Sequence, residues 1–202
     1  MTLSVYQLKP QFQRLLRPLV QALAAARVTP NQLTVATAAL MVAYGTALAA
    51  WPGARGLWLG LVGVMPLRMA LNALDGLLAT HTGRKTRLGA MLNEVCDVVA
   101  DLALYLPVAL LQGVPPVLAV LAACGAAVVE MTGLAALAAG VARRFDGPIG
   151  KSDRAVAYGL VGLLAGCGAA PVWISGVLAA VALLLAWTLL NRLRAGAAPP
   201  TP

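Results

Sequence analysis

Apolar positions along the chain fall into six long runs, at 33–50, 57–79, 88–111, 117–141, 153–170 and 172–190. A bilayer core is about 30 Å thick and takes about 20 residues of helix to cross. The runs are near that length, so they predict six transmembrane α-helices. The breaks between them carry turn chemistry: Trp51-Pro52-Gly53, the basic stretch His81 to Arg87, Gly113-Val114-Pro115-Pro116, Arg143 to Arg154, and Ala170-Pro171. Short breaks predict antiparallel neighbours. The fifth run requires Arg154, near its start, to snorkel back to the interface.

Residues 3–27 follow a different pattern. Leu3, Tyr6, Leu8, Phe12, Leu15, Leu16, Leu19 and Leu23 are interleaved with Lys9, Arg14 and Arg17. This predicts an amphipathic helix lying in the interface, interrupted at Pro10 and Pro18. Thr29 or Asn31 is placed to cap the first crossing helix. The chain thus divides into an interfacial segment at 1–30, a membrane domain at 31–195, and a tail at 196–202 expected to be disordered. The N-terminal stretch MTLSVYQLKPQFQRLL lacks an early apolar core, so it is not expected to be a signal peptide.

Composition sharpens this picture. Of the 202 residues 60% are apolar and 11% charged, against about 45–50% and about 25% in soluble domains. A soluble globular or disordered chain is excluded on those grounds, and an all-α integral membrane protein remains. Lys and Arg outnumber Asp and Glu by 15 to 7, a net charge of +8. With the N-terminus placed in the cytoplasm, thirteen of the basic residues fall on the cytoplasmic side, Arg55 alone falls opposite, and Arg68 lies within a span. That asymmetry sets both termini on the cytoplasmic side of the membrane and accounts for the charge without nucleic acid. Cys96, Cys124 and Cys167 are too widely spaced for a zinc motif and are expected as reduced core residues.

The acids carry more information. Asp146 and Asp153 lie in a loop, whereas Asp75, Glu94, Asp97, Asp101 and Glu130 lie within spans. An acid at mid-membrane costs about 2.5–3.5 kcal/mol on insertion scales, so this group is not incidental. Arg68, Asn72, Asp75 and Ala79 share one face of the second span. Asn93, Asp97 and Asp101 share one face of the third, with Glu94 beside them. Asp75 and Asn93 lie at similar depth, about 7–9 Å from the loop joining the two spans. A polar cavity just below the cytoplasmic surface, walled by both helices, follows. Clustered carboxylates call for a compensating cation, and hard oxygen donors without thiolate favour Mg²⁺ or Mn²⁺ holding a phosphate. A cation relay, or pairing of the acids with Arg68, fits the spacing as well. Gly76 and Gly89 flank the same loop and either ease helix packing or leave room for a ligand.

These residues make the chain resemble the CDP-alcohol phosphotransferases, whose signature is D-x2-D-G-x2-A-R-x8-G-x3-D-x3-D. Here the series reads Asn72, Asp75, Gly76, Ala79, Thr80, Gly89, Asn93, Asp97. Every spacing matches, and five of the eight identities match; Asn72, Thr80 and Asn93 depart. The Thr29-Pro-Asn-x-Leu-Thr34 stretch and the six runs agree with the family. The wording around NALDG and LNE-x2-D-x3-D is most similar to its YnbA-type bacterial branch.

The resemblance implies a phospholipid-synthesis enzyme that transfers a phosphatidyl group from CDP-diacylglycerol to a small polar alcohol, with glycerol or glycerol 3-phosphate favoured. It implies two divalent ions, Mg²⁺ or Mn²⁺, and a homodimer. Asp97 becomes the catalytic base. Asn72, Asp75, Asn93, Asp97 and, as compensation for lost charge, Asp101 become metal-site residues. Asn72, Asp75, Gly76, Ala79 and Gly89 line the nucleotide site. Arg84, Lys85, Arg87 or His81 stands in for the arginine replaced by Thr80. Arg68, Glu94, Lys151 and Arg154 are candidates for binding the acceptor or its phosphate. Glu130 is expected in the cavity or paired with Arg68. A cation-coupled transporter, or a CDP-lipid-binding relative without turnover, remains the alternative.

Overall fold

Thr29 shows how the first long helix starts. Its hydroxyl accepts from the Gln32 amide at 3.2 Å, while its own amide donates to Gln32 Oε1 at 2.9 Å. Pro30 follows at the first helical turn, where a missing N–H costs nothing. The computed structural model describes residues 9–197, with residues 9–13 described as backbone only. Among the described residues helices are joined by turns and loops, with no strand. The seven α-helices are α1 (Lys9–Ala25), α2 (Pro30–Ala50), α3 (Arg55–His81), α4 (Arg87–Tyr105), α5 (Pro116–Ala138), α6 (Lys151–Gly166) and α7 (Pro171–Ala197).

Four of these, α2, α3, α5 and α7, are long and apolar enough to cross a membrane. The other two expected spans fall short for identifiable reasons. α4 carries Arg87, Glu94, Asp97 and Asp101 in 19 residues, and α6 is 16 residues long with three charges in its first turn. The α4 helix also ends earlier than its apolar run, because Pro107 cannot continue it; a 3-10 turn at Leu106–Leu110 takes over.

Three local expectations are corrected. α1 passes through Pro18 without interruption. Its Leu16 and Val20 pack on Leu74 and Leu78 of α3, so part of its apolar face meets protein, while Leu15 and Leu19 stay exposed. α7 continues through Gly196 and Ala197, where the tail was expected to begin; residues 1–8 and 198–202 lie outside the described residues. Cys124 and Cys167 are exposed rather than in the core, although all three thiols are free as expected.

Packing explains where a cavity can form. α2 lies against both α3 and α4, α3 against α6, and α5 against α7. Small residues permit the close approaches: a Cβ on Gly45 of α2 would overlap the Ala103 carbonyl of α4, and one on Gly162 of α6 would sit 2.6 Å from the Trp58 carbonyl of α3. α3 and α4, by contrast, make few close backbone approaches to each other. α2 packs on both, and the gap between their polar faces is bridged by side chains, Arg68 reaching Asp97 and Asp101.

Candidate active site

The gap is a cavity of about 470 Å³. Three helix ends form it. The C-terminal part of α3 supplies Asn72, Asp75, Gly76, Ala79 and Thr80; the first turns of α4 supply Gly89, Ala90 and Asn93; the first turns of α2 supply Pro30, Asn31 and Thr34. Arg84, Lys85 and Thr86 of the intervening loop close one side. The structure brings Asn72, Asp75, Gly76, Ala79, Gly89 and Asn93 to one cavity. The third wall, from α2, is an addition: the expected pair of helices is a trio.

Two opposite electrostatic surfaces face this space. The N-termini of α2 and α4 present partial positive charge, and Arg84 and Lys85 are exposed with no ion pair among the described residues. Facing them is the buried carboxylate of Asp75, 6% exposed. Thr34 fixes it: the hydroxyl lies 2.7 Å from Asp75 Oδ2 and 3.0 Å from the Pro30 carbonyl, so its one proton is shared between two acceptors. Thr86 caps α4 by accepting from the Gly89 amide at 2.9 Å. Gly76 has nothing within 4 Å of where a Cβ would stand, so the cavity runs up to its backbone. At Gly89 a Cβ would meet Asn31 Oδ1 at 2.8 Å.

Asp97 lies one layer further in. It lines a small void of about 10 Å³ behind Asn72 and Asp75, shared with Thr34, Thr37, Arg68 and Cys96. That is room for about one water, beside the unpartnered Thr37 Oγ1 and Arg68 Nη1. Lys151 Nζ contacts Asp97 Oδ2, and Arg68 Nη2 lies 3.5 Å from Oδ1 and donates to the Asp97 carbonyl at 2.9 Å. The Asn72 amide that satisfies its neighbours donates to Asp97 Oδ1 at 3.0 Å and Asn93 Oδ1 at 3.3 Å, and accepts from Lys151 Nζ at 3.1 Å.

Behind this layer the remaining charges pair among themselves. Asp101, 4% exposed, lies 2.7 Å from Arg68 Nη2 and 3.5 Å from Arg154 Nη2. Arg154 is wholly buried and reaches Glu130 at 2.7 Å. It points inward to two carboxylates and does not snorkel, and Glu130 pairs with Arg154 and Arg143 rather than with Arg68. Arg143 forks onto both oxygens of Glu94, lies 3.5 Å from Glu130, and sits over the Phe145 ring. The Glu94 hydrogen bonds raise the Arg143 guanidinium above its ordinary range. His81 is an exposed residue at the end of α3.

Sequence reasoning missed two contributors. Thr34 was visible only as part of the Thr29–Thr34 stretch, and nothing local ties it to Asp75, 41 residues away. Arg143 looks like an ordinary loop cation, because its two partners lie on other helices.

No three His, Cys, Asp or Glu side chains converge as a ready metal cluster among the described residues. The oxygens at hand are the Asp75 and Asp97 carboxylates with the carbonyls of Asn72 and Asn93. This is a hard, all-oxygen set, open at Gly76, and it fits Mg²⁺ or Mn²⁺ rather than a softer metal.

A helical protein with four helices fit to cross a membrane and a polar cavity between three helix ends is the class these features define. Residues 27–191 match the CDP-alcohol phosphatidyltransferase family, and the chain belongs to it. The chain is 43% identical to the inner membrane protein YnbA of Escherichia coli over 197 residues, 95% of this chain and 96% of that protein. It is 34% identical to the phosphatidylinositol phosphate synthase of Corynebacterium glutamicum over 103 residues, 51% of this chain and 45% of that one. The fold is that of the Mycobacterium tuberculosis phosphatidylinositol phosphate synthase. The structure of that protein with CDP-DAG bound gives a TM-score of 0.76 at 20% identity, covering 94% of this chain and 100% of that one. Its complex with manganese and citrate gives 0.75 at 22% identity, covering 89% and 87%.

Proposed function

We propose that the chain transfers a phosphatidyl group from CDP-diacylglycerol to a small polar alcohol, releasing CMP. One observation carries this: a single cavity sets Asp75 opposite two helix N-termini and the exposed Arg84 and Lys85. That is the charge pattern of a site for a diphosphate together with a divalent cation. The names of the relatives and family membership support the same chemistry.

Asp75, held by Thr34, and Asp97 would hold Mg²⁺ or Mn²⁺ with the carbonyls of Asn72 and Asn93. The metal supplies charge neutralisation at the diphosphate. Arg84 and Lys85, with the α2 and α4 amides, orient the diphosphate, taking the place of the family arginine that is Thr80 here. Gly76, Ala79 and Gly89 leave room for the nucleotide. Asp97 accepts the proton of the alcohol at Oδ2 while Arg68 fixes its position from the Oδ1 side. The alcohol oxygen forms a bond to the phosphorus bearing the lipid, the bond from that phosphorus to the bridging oxygen breaks, and CMP leaves. Asp101 and Arg154 act as support for Asp97 and Arg68 rather than as metal or acceptor ligands.

In this reading α4 and α6 complete a six-helix crossing, with α1 at the interface and the cavity open to the cytoplasm of a bacterial inner membrane. The protein works as a homodimer with two ions per site, as the family resemblance implies. Glycerol and glycerol 3-phosphate are the first acceptors to test. Lys151 seated on Asp97 favours one rival, a CDP-lipid-binding member without turnover. The test is CMP release from CDP-diacylglycerol by purified protein. Release with an alcohol and Mn²⁺ supports the transferase. Tight CDP-lipid binding without CMP selects the rival, and solute flux across vesicles without CMP selects a transporter.

A further inference from the structure

We infer that α1 is a docking face for an anionic lipid surface, and that its docking stiffens two of the three cavity walls.

The helix divides around its circumference. Leu16 and Val20, one turn apart, are buried against Leu74 and Leu78 of α3. Leu15 and Leu19 are 74% and 53% exposed along one flank. Arg14 and Arg17 are exposed on the side away from those leucines. Neither arginine has an ion pair among the described residues. Lys9 adds a third cation to the helix, which contains no acid.

Depth points to the same partner. Leu74 and Leu78 lie near the C-terminal end of α3, a helix long and apolar enough to cross a membrane. α1 therefore lies where hydrocarbon gives way to lipid headgroups. A helix placed there buries its apolar flank among acyl chains and holds its cations to the headgroups. Three cations and no acid are complementary to an anionic leaflet, where each cation strengthens docking about fivefold. A second copy of the chain fits worse, because α1 against α1 sets like charges together.

Two connections carry the docking to the cavity. One is the turn into α2. The Arg27 amide donates to the Ala24 carbonyl and the Val28 amide to the Leu23 carbonyl, both at 3.0 Å. Arg27 itself adopts φ 58°, a left-handed turn uncommon for a residue with a side chain. α2 begins at Pro30, so little slack separates α1 from the wall that supplies Pro30, Asn31 and Thr34. The other connection is direct contact. Leu74 and Leu78 lie on the side of α3 away from Asn72, Asp75, Gly76 and Ala79, which line the cavity. Gly76 weakens that stretch of helix, so support from behind it matters.

The test uses the full chain in nanodiscs of phosphatidylcholine, alone or with about one-third phosphatidylglycerol, and reads amide hydrogen exchange without substrate. Residues 14–25 are expected to exchange at least about tenfold more slowly in the anionic discs, and residues 72–80 to slow with them. Arg14→Gln with Arg17→Gln removes both differences. Arg194→Gln, which neutralises an exposed cation of α7, keeps them. High salt screens surface charge and acts like the double variant. Equal exchange of α1 in the two discs overturns the inference, as does a difference that survives the double variant. Slower exchange in α1 with residues 72–80 unchanged overturns the link to the cavity. None of these outcomes bears on the transferase reaction, which CMP release tests separately.

Discussion

Replacing Asp101 by asparagine separates a supporting acid from a metal ligand. Asp101 is 4% exposed and links two buried arginines, at 2.7 Å to Arg68 and 3.5 Å to Arg154. Removing one partner from a buried ion pair costs about 3–5 kcal/mol. The lower end applies here, because Arg154 keeps Glu130 at 2.7 Å and Arg68 keeps the Asp97 carbonyl at 2.9 Å. A loss of about 3 kcal/mol in a chain of this length lowers the melting temperature by about 6–12 °C. Thermal unfolding in a fixed detergent reads this directly. The Mn²⁺ concentration for half-maximal CMP release, measured below the melting range, is expected to stay within about twofold, since metal-ligand support losses of 10–100-fold belong to residues that touch the site. A variant that melts like the unmodified protein but needs far more Mn²⁺ would refute the reasoning and make Asp101 a ligand.

Four further outcomes follow from the same geometry. Gly76→Leu keeps or raises the melting temperature, because a helix gains about 1 kcal/mol on losing glycine, yet raises KM for CDP-diacylglycerol by filling the cavity; an unchanged KM places the nucleotide elsewhere. Thr34→Val, which frees Asp75 from its hydrogen bond, weakens Mn²⁺ binding about tenfold by electron paramagnetic resonance; equal affinity disconnects Thr34 from the metal. Arg84→Ala with Lys85→Ala raises KM for CDP-diacylglycerol about tenfold and leaves acceptor KM alone; the reverse pattern assigns them to the acceptor. The Arg144 guanidinium beside Asp146 holds its carboxyl below the usual range. The contribution of that half-exposed pair is therefore present above the ordinary Asp pKa of about 4 and fades as pH falls through the lower folded value. Asp146→Asn should flatten that acid-side slope in a melting-temperature series, and an unaltered slope removes the pair from the pH response.

Much of the site was legible because helical periodicity is a local property. The series from Asn72 through Asp97 fixes which residues share a face of α3 and of α4, and the short loop fixes that those faces lie at one depth. Long-range pairing was not legible. Nothing adjacent to Glu94 says that Arg143 will fork onto it, and nothing near Arg154 says that burial between Asp101 and Glu130 will replace snorkelling. Thr34 reaches Asp75 only because α2 packs against α3 at the right rotation.

By itself the sequence determined a helical membrane-type chain, the order and rough limits of its helices, and which polar residues share a face of α3 and of α4. Those depend on hydropathy, turn chemistry and a repeat of 3.6 residues, each set within a few neighbours along the chain. The tertiary structure decided that α2 packs on both α3 and α4 and forms the third wall of the cavity. It also decided which acids face the cavity, Asp75 above all, and which are consumed by arginines, as Asp101 and Glu130 are. Both outcomes depend on how helices rotate and approach through small residues such as Gly45 and Gly162. A carboxylate's role in a membrane interior is set by the cation that packing places beside it, and packing joins residues that are far apart in the chain.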